Sequence, residues 1–527
     1  MKQTKKEKYV GAMLGAAIGD ALGWPNEQNS KNINRKNGSI KTFVSWTRKG
    51  GGRYWPYEEF VDAGEYSDDT QLLIATLRSL LRGKQWSTYY RQAELPAWVN
   101  YERGGGGATK RAARKWMYNI SPWDEEKNDN LEIKNYYLAG GNGVAMRIMP
   151  HTFTNEYDVE KVMRQVVLNG MYTHGHPRAL LGAMLYAYSI IKILVQDTTL
   201  GYGELIDVLL NDQTAWSRLP DVNNINVWKQ EAIKYAGYDY DLVWEECVYE
   251  TIGYLKIAKT GLEQGILDIG NDTLEKLGCY NSKINGAGNV SAVISLYLFS
   301  KFASDPTMSL IESANLKNSD TDTIASMVGG LIGALNGQDW IPIELRMVQD
   351  FELFEFLVNQ LIDNKCDILD DSKQYKLFNN DQLLNLTIGE CTEALPFGKI
   401  TLKEIRNEKA KGKDMYAKTY IWTTQYGQTI FAKKIGKVDV DKNYKIQEQK
   451  EKNSSVSMVN KDSILQIKSV LGKVSDANDF IEILHSIMEM QDKGGIKKED
   501  GDLLKVKWKK YRLSKKQIDS IVKIILG

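Results

Sequence analysis

Cysteine and histidine are scarce in this 527-residue chain, and neither sign of charge dominates it. The four cysteines, Cys247, Cys279, Cys366 and Cys391, stand far apart with no CxxC pair. Their spacing excludes a disulfide framework and a thiolate zinc site, and a reducing cytoplasm is the expected setting. Four histidines leave little scope for an imidazole metal centre. With 68 basic residues against 67 acidic ones, no global electrostatic case for nucleic acid or a membrane surface exists. No unbroken apolar stretch reaches the roughly 18 residues needed to cross a bilayer. The start, MKQTKKEK, is basic but lacks a signal-peptide pattern. No membrane role is expected. The length implies more than one domain.

What is present is mostly helical patterning. Residues 9–23 read as a buried helix in which Gly11, Gly15, Gly19 and Gly23 fall on one stripe. Such a stripe gives up roughly 1 kcal/mol per glycine relative to alanine, so it suits close packing against another backbone. Pro25 is expected to end this helix at Trp24 and leave Glu27 in a loop. Residues 48–57, rich in glycine and aromatics, read as a loop. Residues 67–82 read as a helix, with apolar Leu73, Leu77, Leu80 and Leu81 on one face. Further helices are expected at residues 178–195, 286–302 and 344–362. The long polar segment 197–281 has helical patches at 228–236 and 242–258. Past Asn364 the period changes to two: residues 399–406, 415–424 and 428–435 read as a three-stranded meander. Residues 442–456 read as a linker, and 463–491 and 513–526 as helices. The expected organisation is an all-α orthogonal helical domain at 1–365, a small β-rich region at 366–440, and a linker with a helical C-terminal region at 441–527.

Two oxygen-rich clusters open helices. Ser67, Asp68, Asp69 and Thr70 start one; Asn318, Ser319, Asp320, Thr321, Asp322 and Thr323 start another. The plain reading is capping, since Ser and Asp satisfy the first amides and suit the helix dipole. The alternative is one shared cation site. Asp320 and Asp322 can converge only if the backbone is not yet helical at Asp320, with the helix beginning near Thr323. Four carboxylates brought together would repel by roughly 4 kcal/mol per close pair, and two divalent cations would cancel them. All-oxygen ligands favour Mg²⁺ or Mn²⁺ over Zn²⁺. Two glycine runs, at 104–107 and 140–143, permit close approach to a ligand or simply a flexible loop. His174 at a helix start reads as a cap, a core residue or a site residue. Residues 505–516 interleave seven basic side chains with Trp508 and Tyr511, a pattern shared by solvated helix faces and by surfaces that bind a partner or a polyanion.

In order along the chain, GAMLGAAIGDALGWPNE, YSDDTQLL, GNGVAMRIMP, THGHPRALLGA and NSDTDTIASMVGGLIGALNG resemble the successive motifs of the ADP-ribosylglycohydrolase family. The resemblance covers about residues 8–340. It implies an all-α enzyme with two Mg²⁺ or Mn²⁺ ions that cleaves the bond at C1″ of an ADP-ribosylated protein or other molecule. Carried over by position, the metal ligands would be Ser67, Asp68, Asp69, Asp320, Asp322 and Thr323. Glu27 and Asp69 would be the candidate catalytic carboxylates, with the general base left open between them. Gly141, Asn142, Gly143, Met146, Arg147 and His174 would line the ADP-ribose cleft, and Gly105 and Gly106 would take the place of a shorter diphosphate loop. The alternatives are a hydrolase or binder of another ADP-ribose-like nucleotide, or a non-catalytic protein on the same fold. The filled ligand positions weigh against the last.

Overall fold

The computed structural model describes residues 3–27, 40–196, 200–265, 272–370, 372–379, 386–437, 456–457, 496–497 and 515–526. They fall into two compact units, Met1–Lys437 and Val438–Gly527. In the first, α1 (Lys5–Glu27) is buried from Tyr9 to Pro25. The helix continues through Pro25, so the expected break at Trp24 does not occur and Glu27 ends the helix rather than sitting in a loop. A proline inside a helix costs about 3 kcal/mol. Burial of Trp24 and Pro25 in the last turn offsets that cost.

The glycine stripe explains where α1 sits. It packs antiparallel against Thr321–Asn336, called α3 below. A Cβ on Gly15 would lie 2.8 Å from the carbonyl carbon of Gly329, and one on Gly23 would lie 2.8 Å from Cα of Asp322. Any side chain on this stripe would force the two backbones apart. Thr321 Oγ1 donates to the carbonyl of Gly23 at 2.8 Å. The antiparallel contact therefore sets the C-terminal end of α1, with Glu27, beside the N-terminus of α3.

A second tie brings in α2 (Asp68–Leu80), whose N-cap is Ser67. Asp20 of α1, fully buried, accepts from the amides of Ser67 and Thr70 and from the hydroxyl of Thr70, the last at 2.6 Å. Three helix ends thus meet at one point.

The helices expected farther along are present as Pro177–Val195, Ile225–Ala236, Tyr240–Glu263, Gly288–Lys301 and Phe351–Ile362. By length and composition Pro177–Val195 meets the requirement for a membrane span, unlike what the unbroken-run criterion gave; most of it is buried in the protein core.

Residues 48–57 are not a plain loop. Strands β1 (Trp46–Gly50) and β2 (Tyr57–Val61) form an antiparallel hairpin. The expected meander is present as β4 (Gly398–Ala410), β5 (Met415–Thr424) and β6 (Thr429–Lys437), with β3 (Cys391–Ala394) on the far side of β4. The sheet order is β1-β2-β4-β5-β6, with β3 pairing β4. The hairpin near the N-terminus thus completes a sheet whose other strands lie more than 300 residues later. Its core residues Phe397, Ile400 and Trp422 pack in one cluster with Leu72, Trp98 and Tyr101 of the helical part. The sheet and helices share one compact unit, so no unit boundary falls near residue 365.

In the second unit, Val456–Ser457 pairs with Ile496–Lys497, and Lys515–Leu526 is helical. The expected helix at 463–491 and nearly all of the basic segment 505–516 lie outside the described residues.

Candidate metal centre

The two oxygen clusters meet. Carboxylate oxygens of Glu27, Asp320 and Asp322 lie within 4.8 Å of one another. Asp69 joins them from α2, hydrogen-bonded by the side chain of Thr323, and its Oδ2 is buried without a partner. Asp68 lies on the same side, next to Glu27 and Glu102. Local backbone explains the convergence. Asn318 has φ of +57°. Asp320 is the N-cap of α3, with ψ of 79°, and its non-helical backbone redirects its side chain. The helix begins at Thr321, earlier than expected, so Asp322 lies in the first turn rather than ahead of it.

Carboxylates this close repel by about 3 kcal/mol per pair at an effective dielectric of 20. Burial first, and neighbouring carboxylates second, hold Asp68, Asp69 and Asp322 well above the usual carboxylate range. Desolvation and Asp320 push Glu27 up to about 7. Burial likewise raises Asp20, against the hydrogen bonds it accepts. The donor set is hard oxygen throughout, and the orphaned Asp69 Oδ2 faces no protein donor. These residues fit divalent cations of the Mg²⁺ or Mn²⁺ type. Ser67 Oγ accepts from the amide of Asp69, so its hydroxyl caps α2 while standing beside the cluster.

The glycine loop connects to this centre. Asn142 donates through Nδ2 to Asp320 Oδ2 at 2.8 Å and to Ser291 Oγ at 3.0 Å. A Cβ on Gly143 would be 3.0 Å from His174 Cε1 and 3.1 Å from Thr109 Oγ1, so the loop and His174 share one wall. Arg147 Nη2 donates to Thr173 Oγ1 at 2.8 Å; that hydroxyl shares a hydrogen bond with His174 Nδ1 at 2.7 Å and reaches the Gly170 carbonyl at 3.4 Å. His174 turns its other ring nitrogen, Nε2, toward Gly141. Burial depresses the His174 pKa to about 3, so the ring is neutral.

Other expected cleft residues are placed differently. Met146 is buried in the cluster with Leu72 and Trp98. Arg147 is fully buried, where it binds the carbonyl of Gly143 and the side chain of Asn169. Arg147 thus supports the loop from beneath. Glu102 Oε2 accepts from the amides of Gly104 and Gly105, at 3.1 and 3.0 Å. The Gly105 amide is therefore already paired, and its missing side chain makes room for Trp98. Gly106 caps the helix Gly107–Trp116 with open space around it.

Sequence reading missed Asp20, Glu102 and Arg48. Asp20 had left a signal, as a lone carboxylate inside an apolar helix. Arg48 and Glu102 left none, because what they do depends on contacts across the hairpin and the glycine turn.

The sequence model of the ADP-ribosylglycohydrolase family matches residues 1–369. An uncharacterized protein of Archaeoglobus fulgidus is 24% identical over 357 residues, 67% of this chain and 94% of that protein. The uncharacterized protein YegU of Escherichia coli K12 is 22% identical over 371 residues, 68% of this chain and 95% of that protein. The ADP-ribosyl-[dinitrogen reductase] glycohydrolase of Rhodospirillum rubrum is 27% identical over 175 residues, 32% of this chain and 52% of that protein. A solved structure titled ADP-ribosylglycohydrolase-related protein complex aligns with a TM-score of 0.44 at 19% identity, over 68% of this chain and 98% of that one. The chain belongs to the ADP-ribosylglycohydrolase family.

Proposed function

We propose that this member of the ADP-ribosylglycohydrolase family is a metal-dependent hydrolase that splits the C1″ glycosidic bond of an ADP-ribosylated protein or other molecule, releasing ADP-ribose. The observation that carries the reading is the meeting of Glu27, Asp320 and Asp322 within 4.8 Å, beside buried Asp68 and Asp69. Ser67, Asp68, Asp69, Asp320, Asp322 and Thr323 would hold two Mg²⁺ or Mn²⁺ ions. When bound, such ions fix ribose hydroxyls and make a water more acidic.

The chain's own residues do the rest. Bond cleavage at C1″ builds positive charge on the ribose, and the carboxylates facing it lower the energy of that state. Of the two candidate bases, Glu27 is the better placed. It ends α1 as an exposed residue whose carboxylate turns inward toward Asp320 and Asp322, while Asp69 is buried beside Thr323. Glu27 takes the proton of the attacking water as the oxygen adds to C1″; the acceptor leaves with the bonding pair and takes up a proton from solvent, and Glu27 then returns its own proton to solvent. Asn142 orients Asp320, and His174 presents Nε2 on the wall next to Gly141 and Gly143.

The test is ADP-ribose release from a panel of Arg-, Ser- and nucleic-acid-linked substrates, with Mn²⁺ or Mg²⁺ and then with a chelator. Asp322→Asn removes one charge from the centre. We expect at least a 100-fold loss of activity in the variant and abolition by the chelator. Activity that survives both would end the metal reading.

A further inference from the structure

The sheet strands β3–β6 lie beyond the residues that match the family, yet two of their side chains reach the support of the acidic centre. The link is Arg103. Its carbonyl accepts the amide of Asp68 at 3.1 Å, fixing the first turn of α2. Its guanidinium is fully buried between the Phe431 ring, 4.0 Å from the centroid, and the Trp24 ring, 5.2 Å away. Arg103 Nη2 lies 2.7 Å from Glu65 Oε2 and 3.1 Å from Glu59 Oε1. Glu59 in turn holds Lys433 Nζ at 2.7 Å and Arg48 Nε at 3.2 Å. Phe431 and Lys433 both belong to β6. Trp24 stands one turn before Glu27 on α1, and the residue after Arg103 is Gly104, where a Cβ would come within 3.0 Å of Asp68 Oδ1. The backbone carbonyl that holds Asp68 thus belongs to a residue whose side chain β6 packs against.

We infer that the added sheet is a positioning element for the acidic centre: Phe431 packs on Arg103, Lys433 holds the Glu59 that pairs with Arg103, and the carbonyl of Arg103 fixes Asp68. A buried guanidinium needs its charge partners and its packing together. Removing the Phe431 ring opens one face of Arg103 and frees the segment 102–104 to shift. Asp68 then loses the carbonyl that orients its backbone. A neighbouring catalytic domain that merely carried the sheet would feel no such effect.

The consequence for metal binding rests on the proposed function, and the test separates the two. Phe431→Ala, Lys433→Met and a control, Leu205→Ala, which truncates a buried side chain of helix Glu204–Asn211, are matched for loss of thermal stability. Two readouts follow: hydrogen–deuterium exchange of the peptide covering residues 66–72, and Mn²⁺ affinity by calorimetry. Phe431→Ala and Lys433→Met should speed exchange of that peptide and weaken Mn²⁺ binding at least 10-fold. Leu205→Ala should do neither. Wild-type protection and wild-type affinity in both β6 variants would overturn the inference. If Phe431→Ala fails to fold, Lys433→Met decides alone. If the wild-type protein binds no Mn²⁺, the metal reading fails, while exchange at residues 66–72 still decides whether β6 positions Asp68.

Discussion

Replacing Gly23 by alanine tests whether the glycine stripe builds the site. In an ordinary exposed helix the change would stabilise by up to about 1 kcal/mol. Here the new Cβ would lie 2.6 Å from the carbonyl carbon of Thr321 and 2.8 Å from Cα of Asp322. The ordinary lower edge for such a contact is 3.4 Å and the Thr321 carbonyl oxygen is nearer still, so the helices must part by roughly 1 Å. The obstacles are backbone atoms, which have no rotamer to escape into. Overpacking of this kind costs about 1–3 kcal/mol, which outweighs the gain in helix propensity. The larger effect is on geometry. Gly23 is one turn before Glu27, and the contact it presses on is Asp322 itself. A displacement near 1 Å at reacting groups can cost about 100-fold in rate. Gly253 is the control: it lies inside helix Tyr240–Glu263 with nothing within 4 Å of a Cβ. Thermal melts and Mn²⁺-dependent ADP-ribose release should therefore diverge. Gly253→Ala should raise the melting temperature and leave turnover alone; Gly23→Ala should lower both. A stabilised, fully active Gly23→Ala would mean that the close approach of α1 and α3 does not set the site.

Two further outcomes follow from buried charge. Burial depresses His151 and His174 to about 3 and His176 to about 4. Each binds fewer protons folded than unfolded between that value and its ordinary 6.5, so its contribution is complete above about pH 6.5 and is lost as the pH falls, by up to about 1.4 kcal/mol per unit for each ring. Denaturation midpoints from pH 7.5 down to 4.5 should fall less steeply in His151→Leu than in the wild type; equal slopes would show that His151 is not held neutral. The second concerns Arg78 and Glu94, a bidentate pair at 2.7 Å buried where Gln428 of the sheet region also meets Arg78. Glu94→Gln should cost about 3–5 kcal/mol by leaving a buried guanidinium short of charge, and Arg78→Met with Glu94→Leu should recover most of it. A single variant within about 0.5 kcal/mol of wild type in urea unfolding would refute the pairing's importance.

The helices and the meander were legible because their buried positions are apolar and recur at 3.6 or 2 residues. The hairpin 46–61 was not, because its inward face carries Arg48 and Glu59, an ion pair that a hydrophobic pattern cannot display. The partner strand of β2, β4, lies far along the chain, so no local signal announced that sheet and helices share a core. Pro25 misled for a related reason: its local penalty is real, but tertiary burial of the last turn of α1 outweighs it. At the centre, the acidic residue types pointed to hard cations, whereas the meeting of residues 67–69 with 320–323 was carried by the family resemblance and is explained by the α1–α3 contact. The glycine run at 104–107 showed the limit of motif reading. Its open backbone was visible, but not that Glu102, two residues before Gly104, accepts from the amides of Gly104 and Gly105.

The charge balance at the centre narrows what the site can accept. Glu27, Asp320 and Asp322 face one another, Asp68 and Asp69 stand beside them, and the carboxyls of Asp20 and Glu102 lie close by. The N-termini of α2 and α3 bring roughly +0.5 each, and the C-terminus of α1 roughly −0.5. A large negative surplus remains. Lys110 stands near Asp68 and Arg48 near Glu27, but Lys110 is also drawn to Glu102 at 3.6 Å and Arg48 to Glu59. Divalent cations would answer that surplus, and whatever they left would have to be carried by protonated carboxyls. A site that stays net negative would favour a cationic, oxocarbenium-like sugar of the kind the proposed reaction would form.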